Sequence, residues 1–309
     1  MTAFHAGERA LQARVGVQAQ MAQIGPRVMR DHMPDQHREF FALLPFVVVG
    51  SVDGQGQPWA SVLAGAPCFM QSPVPTHLHI RAQPLPHDPL QHTLHEGAAI
   101  GLLGIQPHTR RRNRMNGTVH LQDGGLRVEV GQSFGNCPKY IQAREPAWTD
   151  AAPAAQVVHQ GPGLNDVARE LIRAADTFFI ATAHPQAAAA HEPRHGLDVS
   201  HRGGAPGFVK VEGDRLTVPD FVGNQFFNTL GNIAVHPLAG LLAHLTAAAQ
   251  HVGHRGRGDA GMAGHLHQRG QDRIQRVADQ RADRAGAPFD VAGHAAGLAL
   301  QVKAQGQRV

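Results

Sequence analysis

The chain is short of cysteine, tyrosine and tryptophan, with two, one and two in 309 residues. Cys68 and Cys137 are too few for a disulfide framework. Neither has a metal-ligand partner at tight spacing, so neither a stapled scaffold nor a zinc module organises the fold. The 22 histidines suggest metal at first sight. His265 and His267 stand two apart, but no Glu follows in a metalloprotease arrangement, and no metal is assigned. Long hydrophobic runs are missing as well. No stretch reaches the roughly 18 apolar residues that span a bilayer, so no membrane partner is expected. Met1 to Met21 carries Glu8 and three glutamines in place of a secretory apolar run, which makes the cytoplasm the expected location. The formal charge is only +4. The one dense basic run, Arg110, Arg111, Arg112 and Arg114, has no aromatic platform or reading helix beside it, and no nucleic-acid partner is expected.

Hydrophobic residues make up 42% and charged residues 17%, the balance of a globular protein. The length suits two ordinary domains or one with a duplicated core. Thirty-five glycines and 21 prolines imply many turns, hence short strands more than long helices. Leu11, Val15, Val17, Met21 and Ile24 recur at near-helical intervals until Pro26. A second helix is expected from about Pro34 to Leu44, with Phe40, Phe41 and Leu44 on one side. Then the pattern becomes strand-like. Phe46 to Val49 is a β-branched run, Asp53-Gly54-Gln55-Gly56 is a hairpin turn, and Pro58 to Val62 resumes the strand. Thr76 to Ile80, Ala98 to Ile105, Thr109 to Val119 and Leu126 to Val130 complete a set of short strands that predicts a small antiparallel barrel. Residues 146–164 read as a linker, and Asn165 caps a helix reaching Ala175.

The second half begins as the first does. Thr177 to Thr182 matches Pro45 to Gly50, and Gly196 to Ser200 matches Gln57 to Ser61. Pro206-Gly207-Phe208 matches Pro67-Cys68-Phe69, and Ala239 to Leu242 matches Ile100 to Leu103. Four matched elements in one order predict a duplicated sheet unit. The expected domains are 1–145, a first half with its helices, and 165–242, a second half. Residues 243–309 form an atypical tail with no β-branched run of strand length. A slip of the reading frame near Leu242, or a disordered extension, accounts for it; the second unit is expected to be truncated.

Several strings resemble the pyridoxamine 5'-phosphate oxidase-like superfamily of FMN-binding split barrels, in an uncharacterised two-half subgroup. In the first half these are Met33 to Phe41, Gly104-Ile105 with Thr109 to Gly117, and Gln132 to Ile141. In the second they are Asp198 to Gly204, Pro206 to Phe208, Asp220 to Asn224 and Phe227 to Asn232. The resemblance covers about residues 5 to 242. It implies a mainly β fold with flanking helices, FMN as cofactor, and a homodimer. It also implies an FMN-dependent oxidoreductase acting on a small-molecule substrate, with reduced nicotinamide as a transient electron donor. The alternative is a non-catalytic flavin or haem binding protein.

A flavin phosphate needs cationic or backbone donors. Ser200, His201 and Arg202, with Gly203 and Gly204, are the first candidates. From composition alone a solvated hairpin with a chance arginine is the plainer reading, and the resemblance reverses that preference. Asn224, Asn228 and Asn232 are the second set, since a spacing of four puts them on one helical face, where they offer amides to a ribityl chain or ring edge. Helix capping is the competing role for them, and Asp220 either meets the ligand or caps the same helix. In the first half Arg111, Arg112, Arg114, Asn116 and Asn136 are further anion contacts. Cys137 reads first as a small residue in a tight turn. No nucleophile–base–acid triad is present in the pattern.

Overall fold

The structure, a computed structural model, describes residues 3–145, 163–187, 195–243, 289–293 and 299–303. Three helices open the chain: α1 (Ala6–Arg14), α2 (Gln18–Val28) and α3 (Asp35–Ala42). His5 caps α1 by accepting from the Gly7 N–H at 3.1 Å, while the His5 N–H donates to Glu8 Oε2 at 2.8 Å, a reciprocal capping box. Pro26 does not end α2 where the sequence suggests. It sits in the last turn, and the helix stops at Val28.

A run of strands follows: β1 (Phe46–Val52), β2 (Pro58–Ala64), β3 (Met70–Gln71) and β4 (His77–Ile80). The short α4 (Leu90–Thr93) comes next, then β5 (Ala99–Gln106), β6 (Arg111–Gln122) and β7 (Gly125–Gly135). The Asp53 turn closes the β1–β2 hairpin, with Asp53 Oδ1 accepting from the Gln55 and Gln57 N–H groups at 2.9 and 3.0 Å. The second half contributes α5 (Asp166–Ala174), β8 (Thr177–Ala183), β9 (Leu197–Gly203), β10 (Lys210–Glu212), β11 (Arg215–Val218), α6 (Asn228–Val235) and β12 (Leu238–Leu242). Asn165 caps α5 through its side-chain oxygen, which accepts from the Ala168 N–H at 2.8 Å.

Two strands lie in the tail, β13 (Phe289–Gly293) and β14 (Ala299–Lys303). They correct the expectation of a truncated second unit. β14 pairs with β12, and β13 joins β14 to β11. Each strand is only five residues long with a single valine, which is why no strand-length run was visible. The rest of the tail, and with it the proposed frame slip, lies outside the described residues.

The two sheets have seven strands each, in the orders β2-β1-β5-β6-β7-β4-β3 and β9-β8-β12-β14-β13-β11-β10, all pairs antiparallel. Matched segments of the two halves therefore hold corresponding places. Neither sheet closes. β2 and β3 are the edges of the first and β9 and β10 of the second, with no pairing among the described residues that joins edge to edge. The split β-barrel expectation is corrected to a mixed α/β fold on open sheets. Tight turns and alternation specify hairpins, but closure depends on tilt and stagger between distant strands, which no local pattern encodes.

The period-2 alternation of side chains shows how the sheets pack. Val47 and Val49 of β1, with Ile100 and Leu102 of β5, face the first sheet's core beside Phe40 and Phe41 of α3. Their neighbours Val48, Leu103 and Ile105 turn the other way and meet Phe179, Ala181 and Val199 of the second sheet. In β8, Phe178 and Ile180 face the second sheet's own core. Strands buried on both faces lose the polar half of the alternation, so β1, β5 and β8 read as continuous apolar runs. The sheets approach closely where β2 crosses β12. A Cβ on Gly240 would lie 2.5 Å from the Pro58 carbonyl oxygen, so only glycine allows this crossing. The packing brings one end of β6 beside β9.

Candidate anion-binding site

Arg112 and Arg114 are two apart on β6 and share a face, whereas Arg111 points the opposite way with its guanidinium 4.8 Å from the Phe40 ring centre. β9 lies alongside and supplies Ser200, His201 and Arg202. The turn after β7 adds Asn136, Cys137, Lys139 and Tyr140. The segment between β11 and α6 closes the wall with Pro219, Phe221, Gly223 and Asn224. These groups enclose a cavity of about 80 Å³. Sites for drug-sized ligands run to roughly 300–1,000 Å³, so this space matches a small ion or the charged end of a larger molecule.

The charge balance is positive. Four cations, Arg112, Arg114, Lys139 and Arg202, line the cavity. Two have carboxylate partners: Arg114 meets Asp198 at 2.5 Å, and Arg202 meets Asp220 at 3.6 Å. Arg112 has only neutral partners among the described residues. Its Nε donates to the Cys137 carbonyl at 2.8 Å, Nη1 to His201 Nδ1 at 3.1 Å, and Nη2 to the Lys139 carbonyl at 3.4 Å. Burial, reinforced by Arg114 and Arg202, pulls Arg112 down to about 10, which leaves it charged at neutral pH. Burial and then Arg112 and Arg202 hold His201 well below the ordinary imidazole range. His201 is therefore neutral, and because Nδ1 accepts from Arg112, its proton is on Nε2. Even a half-buried guanidinium with no counter-charge among the described residues is costly to desolvate, and sites of that kind concentrate where a ligand supplies the missing charge.

Behind the cavity a buried polar network fixes Arg114. Its Nη1 donates to Asn228 Oδ1 at 3.1 Å and its Nη2 donates to Ser200 Oγ. Ser200 Oγ and Thr229 Oγ1 donate to Asp198 Oδ2 at 3.1 and 2.9 Å. Asn228 Nδ2 donates to Glu8 Oε1 at 2.5 Å, which ties α1 into the network. Burial pushes the Glu8 carboxyl up to about 8, outweighing the His5 N–H and Asn228 amide that donate to it. Two buried donors of the site, Asn136 Nδ2 and Arg114 Nε, have no hydrogen-bond partner among the described residues. Each is a place where a ligand oxygen gains a bond at no cost in competing contacts.

Of the six residues expected to bind a cofactor, five divide between the cavity and its support. Ser200, His201, Arg202 and Asn224 line the cavity, although the Ser200 hydroxyl is directed at Asp198. Asn228 lies in the supporting network. Asn232 lies away from it, donating to the Thr182 carbonyl at 3.3 Å and hydroxyl at 3.2 Å. The shared helical face is corrected too. α6 starts at Asn228, and Asn224 precedes it in the loop, donating to Asn136 Oδ1 at 3.3 Å. Arg112, Arg114 and Asn136 join the cavity, while Asn116 binds Gln132 at 3.3 Å. Lys139 and the Tyr140–Phe221 pair, stacked with ring centres 5.1 Å apart, were not foreseen as site residues. Their only signal in the sequence was a lysine and an aromatic beside the Asn136 turn. Among the described residues no cluster of three or more His, Cys, Asp or Glu side chains can hold a metal ion.

Compared with known proteins, the chain matches no family model, no curated protein and no solved structure. The resemblance to FMN-binding split barrels is accordingly corrected. Its strings fall on α3, β6, β9 and α6 as well as on turns, and the sheets that carry them stay open, so the barrel they imply is absent among the described residues. The readings that depended on it, an FMN-dependent oxidoreductase or a flavin or haem binding protein, are withdrawn. No helix among the described residues is long and apolar enough to cross a membrane.

Proposed function

We propose that the protein binds a small oxyanion, a phosphate or sulfate group either free or at the end of a larger molecule, in the cavity between β6 and β9. One observation carries this reading: Arg112 is half-buried and charged, and meets only neutral partners among the described residues. The unpartnered Asn136 amide and the remaining cations supply the other contacts, and planar guanidinium groups suit a tetrahedral oxyanion. No chemical step is assigned to the site.

Isothermal titration with inorganic phosphate at low salt tests the reading. Hydrogen bonds to charged groups contribute about 1.5–3 kcal/mol, so Arg112→Met is expected to weaken binding roughly 10- to 100-fold. Unchanged affinity in Arg112→Met, or no phosphate binding by the unaltered protein, refutes it.

A further inference from the structure

The two ion pairs made by the cavity's arginines differ in kind, and neither carboxylate is itself a lining residue. Arg114 and Asp198 are buried, touch at 2.5 Å and are locked from behind by Ser200, Thr229 and Asn228. Arg202 and Asp220 are each about a quarter exposed and stand 3.6 Å apart, beyond hydrogen-bond length. Neither has another ion-pair partner among the described residues. Burial pushes the Asp220 carboxyl up, with Arg202 opposing. Its partial desolvation is thus poorly compensated where it stands.

We propose that Asp220 is the internal counter-anion of the cavity's Arg202: its carboxylate engages Arg202 in the absence of ligand, and an incoming oxyanion must displace it. The inference rests on the anion-binding reading above. A ligand that forms short charge-assisted bonds to Arg202, typically near 2.7–2.9 Å, replaces a contact that has none. The Arg114 pair cannot yield in the same way, because removing either member strands a buried charge. Moving the Asp220 side chain does not dismantle the wall it belongs to. Phe221 stacks on Tyr140, the Tyr140 hydroxyl donates to the Val222 carbonyl at 3.2 Å, and Asn224 donates to Asn136. These contacts are all neutral and independent of Arg202. Asp220 therefore lowers the resting affinity without shaping the cavity.

The test is phosphate titration of the full chain in four forms: unaltered, Asp220→Asn, Arg202→Met and the double variant. Removing the competing carboxylate is expected to tighten phosphate binding about tenfold, equivalent to about 1.4 kcal/mol. In the Arg202→Met background the same change is expected to have less than about a twofold effect, because the competition acts through that guanidinium. Asp220→Ser serves the same purpose if circular dichroism shows Asp220→Asn unfolded. Equal or weaker binding by the Asp220 variants overturns the proposal. So does equal tightening with and without Arg202, which would mean a diffuse field rather than competition. If Arg112→Met abolishes binding while the Asp220 variants match the unaltered protein, only the competition fails. If Arg112→Met binds normally, the anion site itself fails, and this proposal with it.

Discussion

Glu8→Gln is the most informative single perturbation of the stability of this fold. Glu8 stands in the first turn of α1, 4% exposed, with Oε2 accepting from the His5 N–H at 2.8 Å and Oε1 from Asn228 Nδ2 at 2.5 Å. Burial raises its carboxyl from the ordinary 4.5 to about 8. Between those values the folded protein keeps a proton that the unfolded chain has released. The unfolded state binds fewer protons there, so stability falls as pH rises. The contribution is complete below about pH 4.5 and is lost as pH climbs through about 8. The span from 4.5 to about 8 sets a ceiling of about 5 kcal/mol, a large part of the 5–15 kcal/mol that holds a typical domain together. Glutamine keeps the shape and does not titrate. Urea midpoints measured from about pH 5 to 9 should fall steadily for the unaltered protein and stay much flatter for Glu8→Gln. By about pH 9 the variant is expected to be the more stable of the two. Parallel profiles for the two proteins would refute the reasoning, and would mean that Glu8 is ionised when folded, held by its two donors.

The acid limb has the opposite sign. Burial, then His184, pulls His5 down to about 4, and burial, then His195 and His236, lowers His184. The unfolded chain binds the extra protons, so stability is lost as pH falls from the ordinary 6.5 through about 4. His5→Asn retains a capping residue and should flatten thermal melts taken across that window; an unchanged acid limb would remove His5 as its cause. Gly231→Ala places a Cβ 2.7 Å from the Glu8 backbone nitrogen where α6 meets α1. A loss of about 1–3 kcal/mol in urea unfolding is expected, and a neutral result would show that these helices can separate freely. Leu102→Ala, fully buried between β1 and β6, should cost about 2–5 kcal/mol by the same assay, and a cost below about 1 kcal/mol would contradict a close-packed first core.

The sequence by itself determined the local elements. The Asp53 turn, the Asn165 cap, the apolar runs of β1, β5 and β8, and the matched order of the two halves follow from short-range rules of turn chemistry and side-chain alternation. Half of the candidate site was legible for the same reason: Arg112 and Arg114 are two apart on a strand, and Ser200 to Arg202 lie at the end of another. Only the tertiary structure decided whether these segments meet. Arg112 donates to His201 across 89 residues of chain, and Glu8 accepts from Asn228 across 220. It also decided that Asn224 is in a loop, that Ser200 faces a carboxylate, that the tail returns as two central strands, and that the sheets stay open. Spacing along a chain reports only on neighbours within a few residues. Sheet closure, the pairing of buried charges and the making of a cavity depend on contacts between distant segments, which burial and electrostatics select together once the whole chain is folded.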